Sequence, residues 1–242
     1  MKKLFFAIAA TFALLCAAAQ AAETAQTAKT DNADPFAWEQ PTYRTYTIFN
    51  LGIFPKIPGW QDNTETIGIK TGWPAVTGRN ATMTGFESSW VYSGSEYVTG
   101  IQASMLMNFN KHCRGFQPAI GFNFSTETLD GMQAAVGFNF ANRVRGVQAS
   151  SLNFTRSMVG FQPGVIGNIT EEFCGFQTGF FSLTSKLEGV QFGGVNIVTN
   201  DSTDGIQIGF VNIAKGKGMQ FGLVNIIPGG KLPFMLFFNC SK

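Results

Sequence analysis

Apolar and polar residues alternate one by one along residues 116–124, FQPAIGFNF: Phe116, Pro118, Ile120, Phe122 and Phe124 share one side, and Gln117, Ala119, Gly121 and Asn123 the other. Successive side chains of a β-strand point to opposite faces, so this pattern predicts a strand with one wholly apolar face and one small or neutral-polar face. Residues 132–140, MQAAVGFNF, write it again. The pattern is one unit of an array. Repeats begin at Gly85, Gly100, Gly115, Gly131, Gly146, Gly160, Gly175, Gly189, Gly205 and Gly218, spaced by 13 to 16 residues, and self-similarity at a fixed period governs any fold assignment.

Each unit carries an apolar residue after its Gly, then Gln, and later Asn. The polar face therefore presents Gln102, Gln117, Gln133, Gln148, Gln162, Gln177, Gln191, Gln207 and Gln220, with Glu87 in the first unit. The Asn positions are Asn108, Asn123, Asn139, Asn153, Asn168, Asn196, Asn212 and Asn225, with Ser182 as an exception. Charges avoid the nine-residue cores, Glu87 apart, and gather between them, as at Lys111, Arg114, Glu127, Asp130, Arg143, Arg145, Glu171 and Glu172. The cores read as strands and the linkers as solvated turns.

Two all-β architectures use such a strand. An antiparallel up-and-down β-barrel of outer-membrane type turns the apolar face to lipid and lines its lumen with Gln and Asn. A β-solenoid with one 15-residue unit per coil fills its interior with the apolar residues and stacks like amides in ladders. The nine-residue cores match the length of a membrane-crossing strand. Aromatics toward the ends of the apolar face resemble interfacial girdles, and the nearly palindromic order would bring Gln rows beside Asn rows in antiparallel neighbours. With a strand over residues 43–54 and the closing KLPFMLFFNCSK, about 12 strands result, which favours the barrel. The solenoid is favoured by GIQIGFVNIA, where Val211 and Ile213 break register with Ile206, Ile208 and Phe210, as a coil corner does, and by the lack of alternating short and long linkers. The chain also ends in Lys242, not the aromatic usual for barrels.

Upstream, MKKLFFAIAATFALLCAAAQA joins Lys2 and Lys3 to an apolar run and a small-x-small end, a secretory signal peptide over residues 1–21. Cys16 follows Leu15, where a lipoprotein signal requires a small residue. Residues 22–42 read as a flexible leader and residues 43–242 as one all-β repeat domain, with the array over 85–230. Residues 55–84 read as an irregular connection with one further strand in IGIKTGWPAV. After the signal no apolar run reaches the roughly 18 residues of a membrane helix.

The chain has 17 basic and 15 acidic residues; losing Lys2 and Lys3 leaves 15 of each. A neutral chain gives no electrostatic ground for nucleic-acid binding. Cys113, Cys174 and Cys240 show no framework spacing. His112, the only histidine, rules out a His-based metal cluster and reads as a solvated turn residue. Glu171 and Glu172, adjacent on a turn, make no acid–base pair, and no phosphate-binding loop is present. No catalytic, metal or cofactor-binding residue is assigned.

The units GFQPAIGFNF, GIQIGFVNIA and GMQFGLVNII, with the closing LPFMLFFN, resemble a family of bacterial surface-repeat proteins over residues 85–239. The resemblance implies export to the cell surface or outer membrane and carries no catalytic residues. A polyester-synthase activity attached to some relatives of this type is not implied, because no cysteine sits in a G-x-C-x-G elbow. The expectation is a non-enzymatic outer-membrane or surface protein, structural or passively pore-like, with outer-membrane lipid as its partner. The alternative is an exported solenoid acting as an adhesin or binding module. Neither names a ligand.

Overall fold

The structure, a computed structural model, describes residues 34, 36–38, 41–42, 45–53, 61–200, 204–230 and 232–241. The signal peptide and most of the leader lie outside the described residues. The chain divides into Met1–Trp38 and Glu39–Lys242. In the first unit a turn is held by Phe36 N donating to Asp34 Oδ1 at 3.0 Å and Ala37 N donating to Asp34 O at 2.9 Å.

The second unit is all-β. Its strands are β1 (Thr45–Gly52), β2 (Thr64–Gly72), β3 (Ala75–Ser89), β4 (Tyr92–Ser104), β5 (Met107–Ala119), β6 (Phe122–Ala135), β7 (Phe138–Val198), β8 (Asp204–Ala214), β9 (Lys217–Ile226) and β10 (Phe234–Ser241). β7 winds without interruption through the repeats that begin at Gly146, Gly160, Gly175 and Gly189.

Neighbouring repeats pair in parallel and in register. Gly115 meets Gly131, Gln117 meets Gln133, and Asn123 meets Asn139. The fold is a β-solenoid of about 11 coils, which corrects the expected antiparallel barrel of about 12 strands. The sheet order runs from β1 to β10 in sequence, and no pairing joins those two strands among the described residues. The barrel expectation failed because a repeat of nearly palindromic polarity fits antiparallel neighbours as well as stacked copies. Stacking wins where each side chain can bond to its own copy one coil on.

The array also begins earlier than expected. Residues 55–60 of the expected connection lie outside the described residues; beyond them the one further strand expected in IGIKTGWPAV is β2, β3 adds another, and Gly68 pairs with Gly85, so Gly68-Ile69-Lys70 is a further repeat start. Of the expected strand over 43–54, residues 45–52 form β1, while Tyr43, Arg44 and Phe54 lie outside the described residues. At the other end β10 pairs antiparallel with β9 and ends the stack.

Coils fold back on themselves five or six residues after their Gly, with bends at Met105-Leu106, Ile120-Gly121 and Val136-Gly137, while in β7 the strand carries through that position. Two limbs then face each other across the interior: Ser125 Oγ donates to Gln117 Oε1 at 3.2 Å, and Asn123 Nδ2 to the Gln117 carbonyl at 2.9 Å. Behind them runs an apolar row, two residues before each Gly: Met83, Val98, Cys113, Leu129, Val144, Met158, Phe173 and Leu187. The glycine itself is obligatory. Gly115 has φ +141°, and a Cβ there would stand 2.0 Å from the Gly100 carbonyl oxygen, a conformation and an approach that only glycine tolerates.

Candidate functional site

The polar face lies inside. Gln117 is 0 % exposed while Phe116 beside it is 37 % exposed. The solenoid expected from sequence had the reverse, with apolar residues within, and the structure corrects that too. There is no lumen to line: the coil interior is filled by the amides and the apolar row behind them.

Every Gln from Gln102 to Gln220 is buried, and each donates Nε2 to the Oε1 of its counterpart one coil earlier, at 2.6 to 3.1 Å. The Asn ladder runs the opposite way. Asn108 donates to Asn123, Asn123 to Asn139, Asn139 to Asn153 and Asn153 to Asn168; Asn196 donates to Asn212 and Asn212 to Asn225. A second bond to a backbone carbonyl, such as Asn108 Nδ2 to the Pro118 carbonyl at 2.7 Å, fixes that direction. Gln therefore bonds Gln and Asn bonds Asn, in place of the mixed rows an antiparallel sheet would give. Ser182 breaks the Asn ladder and leaves its own Oγ and Asn196 Oδ1 without partners.

The Gln ladder ends on a buried ion pair that sequence reading missed. Glu87 occupies the Gln position of its coil and accepts from Gln102 Nε2 at 3.0 Å. Its other oxygen accepts from Ser95 Oγ and lies 3.8 Å from Lys70 Nζ, which donates to Ser95 Oγ at 2.7 Å. Lys70 holds the same position one coil earlier, opposite Glu87. Desolvation pushes its ammonium below the ordinary lysine range, against the pull of Glu87. The legible signal was Gly68-Ile69-Lys70, the repeat's opening with a cation at the Gln position.

With the amides inside, the outer surface of both limbs and the bend is apolar. On the first limb Ile101, Phe116, Phe161, Phe176 and Met219 form an exposed row. The bend carries Met105, Ile120, Val136, Val165, Phe180, Phe210 and Leu223, all exposed. On the second limb half-buried rings stack along the axis, with Phe122 and Phe138 at 4.3 Å and Phe124 edge-on to Phe138 at 5.3 Å. Between the first row and the bend, small residues such as Pro118, Ala134, Ala149 and Pro163 line a shallow groove of about 650 Å³. The outward Phe210 and half-buried Val211 explain the broken register of GIQIGFVNIA: the residues flanking the bend both leave the interior.

Charges occupy the remaining edge, largely paired. Arg145 bridges Asp130, Lys111 bonds Glu96 at 2.8 Å, and Lys186 bonds Glu188 at 2.7 Å. The linkers carrying them extend the strands, where open turns were expected. His112, expected in solvent, is buried. Its Nε2 meets Glu127 Oε2 at 2.9 Å, its Nδ1 meets Thr128 Oγ1 at 2.7 Å, and Tyr97 stacks on its ring. Hydroxyl, imidazole and carboxylate have the order of a hydrolytic triad, but Thr128 is buried, at 1 % exposed. The His112 hydrogen bond pulls the Glu127 carboxyl below its ordinary range.

Cys113 is buried and its thiol is pushed up to about 12 by desolvation and by Glu87; Cys174 and Cys240 are exposed, and all three are free. Among the described residues no group of three or more His, Cys, Asp or Glu is placed to hold a metal, and no helix is long and apolar enough to cross a membrane. No family model, curated protein or solved structure matches the chain.

Proposed function

We propose that the exported chain is a non-enzymatic binding module of the outer membrane or cell surface, and that the apolar outer arc of its solenoid is the binding surface. The observation that carries this is the inversion of polarity: the neutral amides are spent on one another inside, and large apolar side chains are left outside. Contiguous exposed apolar area far beyond scattered single residues marks an interaction surface. The edge charges are mostly engaged with each other.

Phe161→Cys and Arg145→Cys, each in a background with Cys174 and Cys240 replaced by serine, provide the test. Cys113 stays silent because its thiol is enclosed. Phe161 is exposed in the isolated fold, so folding alone leaves a cysteine there reactive to N-ethylmaleimide. In intact cells the thiol at 161 is expected to react at least ten-fold more slowly than the one at 145. Equal rates at the two positions would mean that nothing covers the arc.

A further inference from the structure

We infer that the arc's occupant is a single leaflet of a lipid bilayer, entered bend first, with the charged edge left in water. This rests on the arc being a binding surface and adds what binds there.

The distribution of exposure selects lipid over a second copy of the chain. Between the end strands, where Ile48 of β1 and Phe237 of β10 stand out, the most exposed apolar residues of the array lie at the bend, where Val165 is 79 % and Val136 67 % exposed. A flat partner laid on one limb would cover the Phe116 and Phe161 row and leave the bend in water. A fluid hydrocarbon phase covers both limbs and the bend at once.

Dimensions agree. Each limb is about five residues of extended chain, roughly 16 Å at about 3.3 Å per residue, against a half-thickness of about 15 Å for the hydrocarbon core. The charges stand at the ends of the limbs farthest from the bend, at the depth of the headgroups. The chain therefore reaches the bilayer midplane without crossing it.

Hydrocarbon also demands that backbone groups be satisfied within the protein. At the bends they are: Ile120 N donates to Met105 O at 3.0 Å, Phe122 N to Leu106 O at 2.8 Å, and Val136 N to Ile120 O at 3.1 Å. The same coil-to-coil bonding that builds the solenoid pairs these bend amides. The buried Gln and Asn ladders pair most of the interior amides as well, with Asn108 Oδ1, Asn196 Oδ1 and Gln220 Oε1 as exceptions.

The arc is uncharged, so attachment is expected to resist salt, unlike attachment through basic patches. Mature protein mixed with phosphatidylethanolamine–phosphatidylglycerol vesicles is expected to float with them equally at low salt and in 1 M NaCl. An environment-sensitive fluorophore at residue 136 should be quenched most by lipids labelled near the chain ends, one at 116 by labels midway, and one at 145 by neither. Val136→Ser, Val165→Ser and Phe210→Ser together should lower vesicle affinity more than ten-fold with an unchanged circular-dichroism spectrum, since each apolar side chain removed from water is worth on the order of ten-fold.

Absence of flotation overturns the proposal, as does equal quenching at 136 and 145, or a folded triple variant that floats like the parent. If the thiol at 161 is protected in cells while vesicles fail to bind, the binding surface stands and lipid is wrong. A discrete dimer in sedimentation that shields residue 136 without lipid assigns the surface to a second copy.

Discussion

Glu87 and Lys70 are the two interior positions where the ladder's uniform chemistry is interrupted by charge. A carboxylate at the end of the ladder receives the donor of Gln102 and needs a counter-charge, which Lys70 supplies through Ser95 and directly. Removing one partner strands the other in a dry interior, a loss of about 3–5 kcal/mol, whereas replacing both with neutral groups is often harmless. Glu87→Gln alone should lower the urea midpoint sharply. Lys70→Gln with Glu87→Gln should recover most of it by carrying the ladder one coil further. A double variant no better than the single would show that the pair does not act as a unit. Ser182→Asn tests the opposite defect. It offers a donor to the unpartnered Asn196 Oδ1 and an acceptor to Asn168 Nδ2, and should stabilise by about 1 kcal/mol per bond made. A lower midpoint would mean that the interior at Ser182 lacks room for the amide.

At the scale of the element, the separation of Gln and Asn from the large apolar residues was legible, and the bend within the unit and the orientation of its faces were not. Gln117 and Asn123 share one side and Phe116 and Ile120 the other, but the single strand expected over residues 116–124 is broken by the Ile120-Gly121 bend between β5 and β6, and alternation is the same whether the apolar side meets lipid or a protein core. Pairing direction escaped for a related reason: Gln-small-small-Asn reads alike both ways, and only contact with the next coil decides. Lys70 was missed because Gly68 precedes Gly85 by a longer interval than any later spacing. His112 was misplaced because its linker extends the strand and packs the ring between Tyr97, Glu127 and Thr128. That corner has a pH signature. Hydrogen bonding from His112 lowers the folded-state pKa of Glu127, so its stabilisation is present above the ordinary carboxylate range and is lost as pH falls through the lowered value. Urea midpoints taken from neutral pH down to about pH 3 should fall less steeply for Glu127→Gln than for the parent. Parallel acid limbs would remove Glu127 from the acid response.

For the whole molecule, a stack in which each coil touches only its neighbours has a stability close to a sum over coils and their interfaces. Excision in whole coils is therefore tolerated and excision in fractions is not. Removing residues 146–159 joins Arg145 to Gly160 and places Gln162 where Gln148 stood, with its Nε2 reaching Gln133 Oε1, while Asn139 meets Asn168. Both ladders close again, the apolar row loses only Met158, and the bend row continues from Val136 to Val165. The shortened chain should unfold in one cooperative step, with a denaturant m-value lower by roughly a tenth, since m follows the surface exposed on unfolding. Removing only residues 146–152 leaves Asn153 directly after Arg145, so that Asn153 takes the place of Gly146, where a Cβ would stand 2.0 Å from the Gly131 carbonyl oxygen, and Thr155 takes the place of Gln148 in the Gln ladder. That chain should not fold cooperatively. The contrast separates a stack from any closed ring, in which losing one stave of an even-numbered set leaves an edge unpaired. Cooperative folding of the half-coil deletion, or loss of folding in the whole-coil deletion, would show that the coils are not the units of stability.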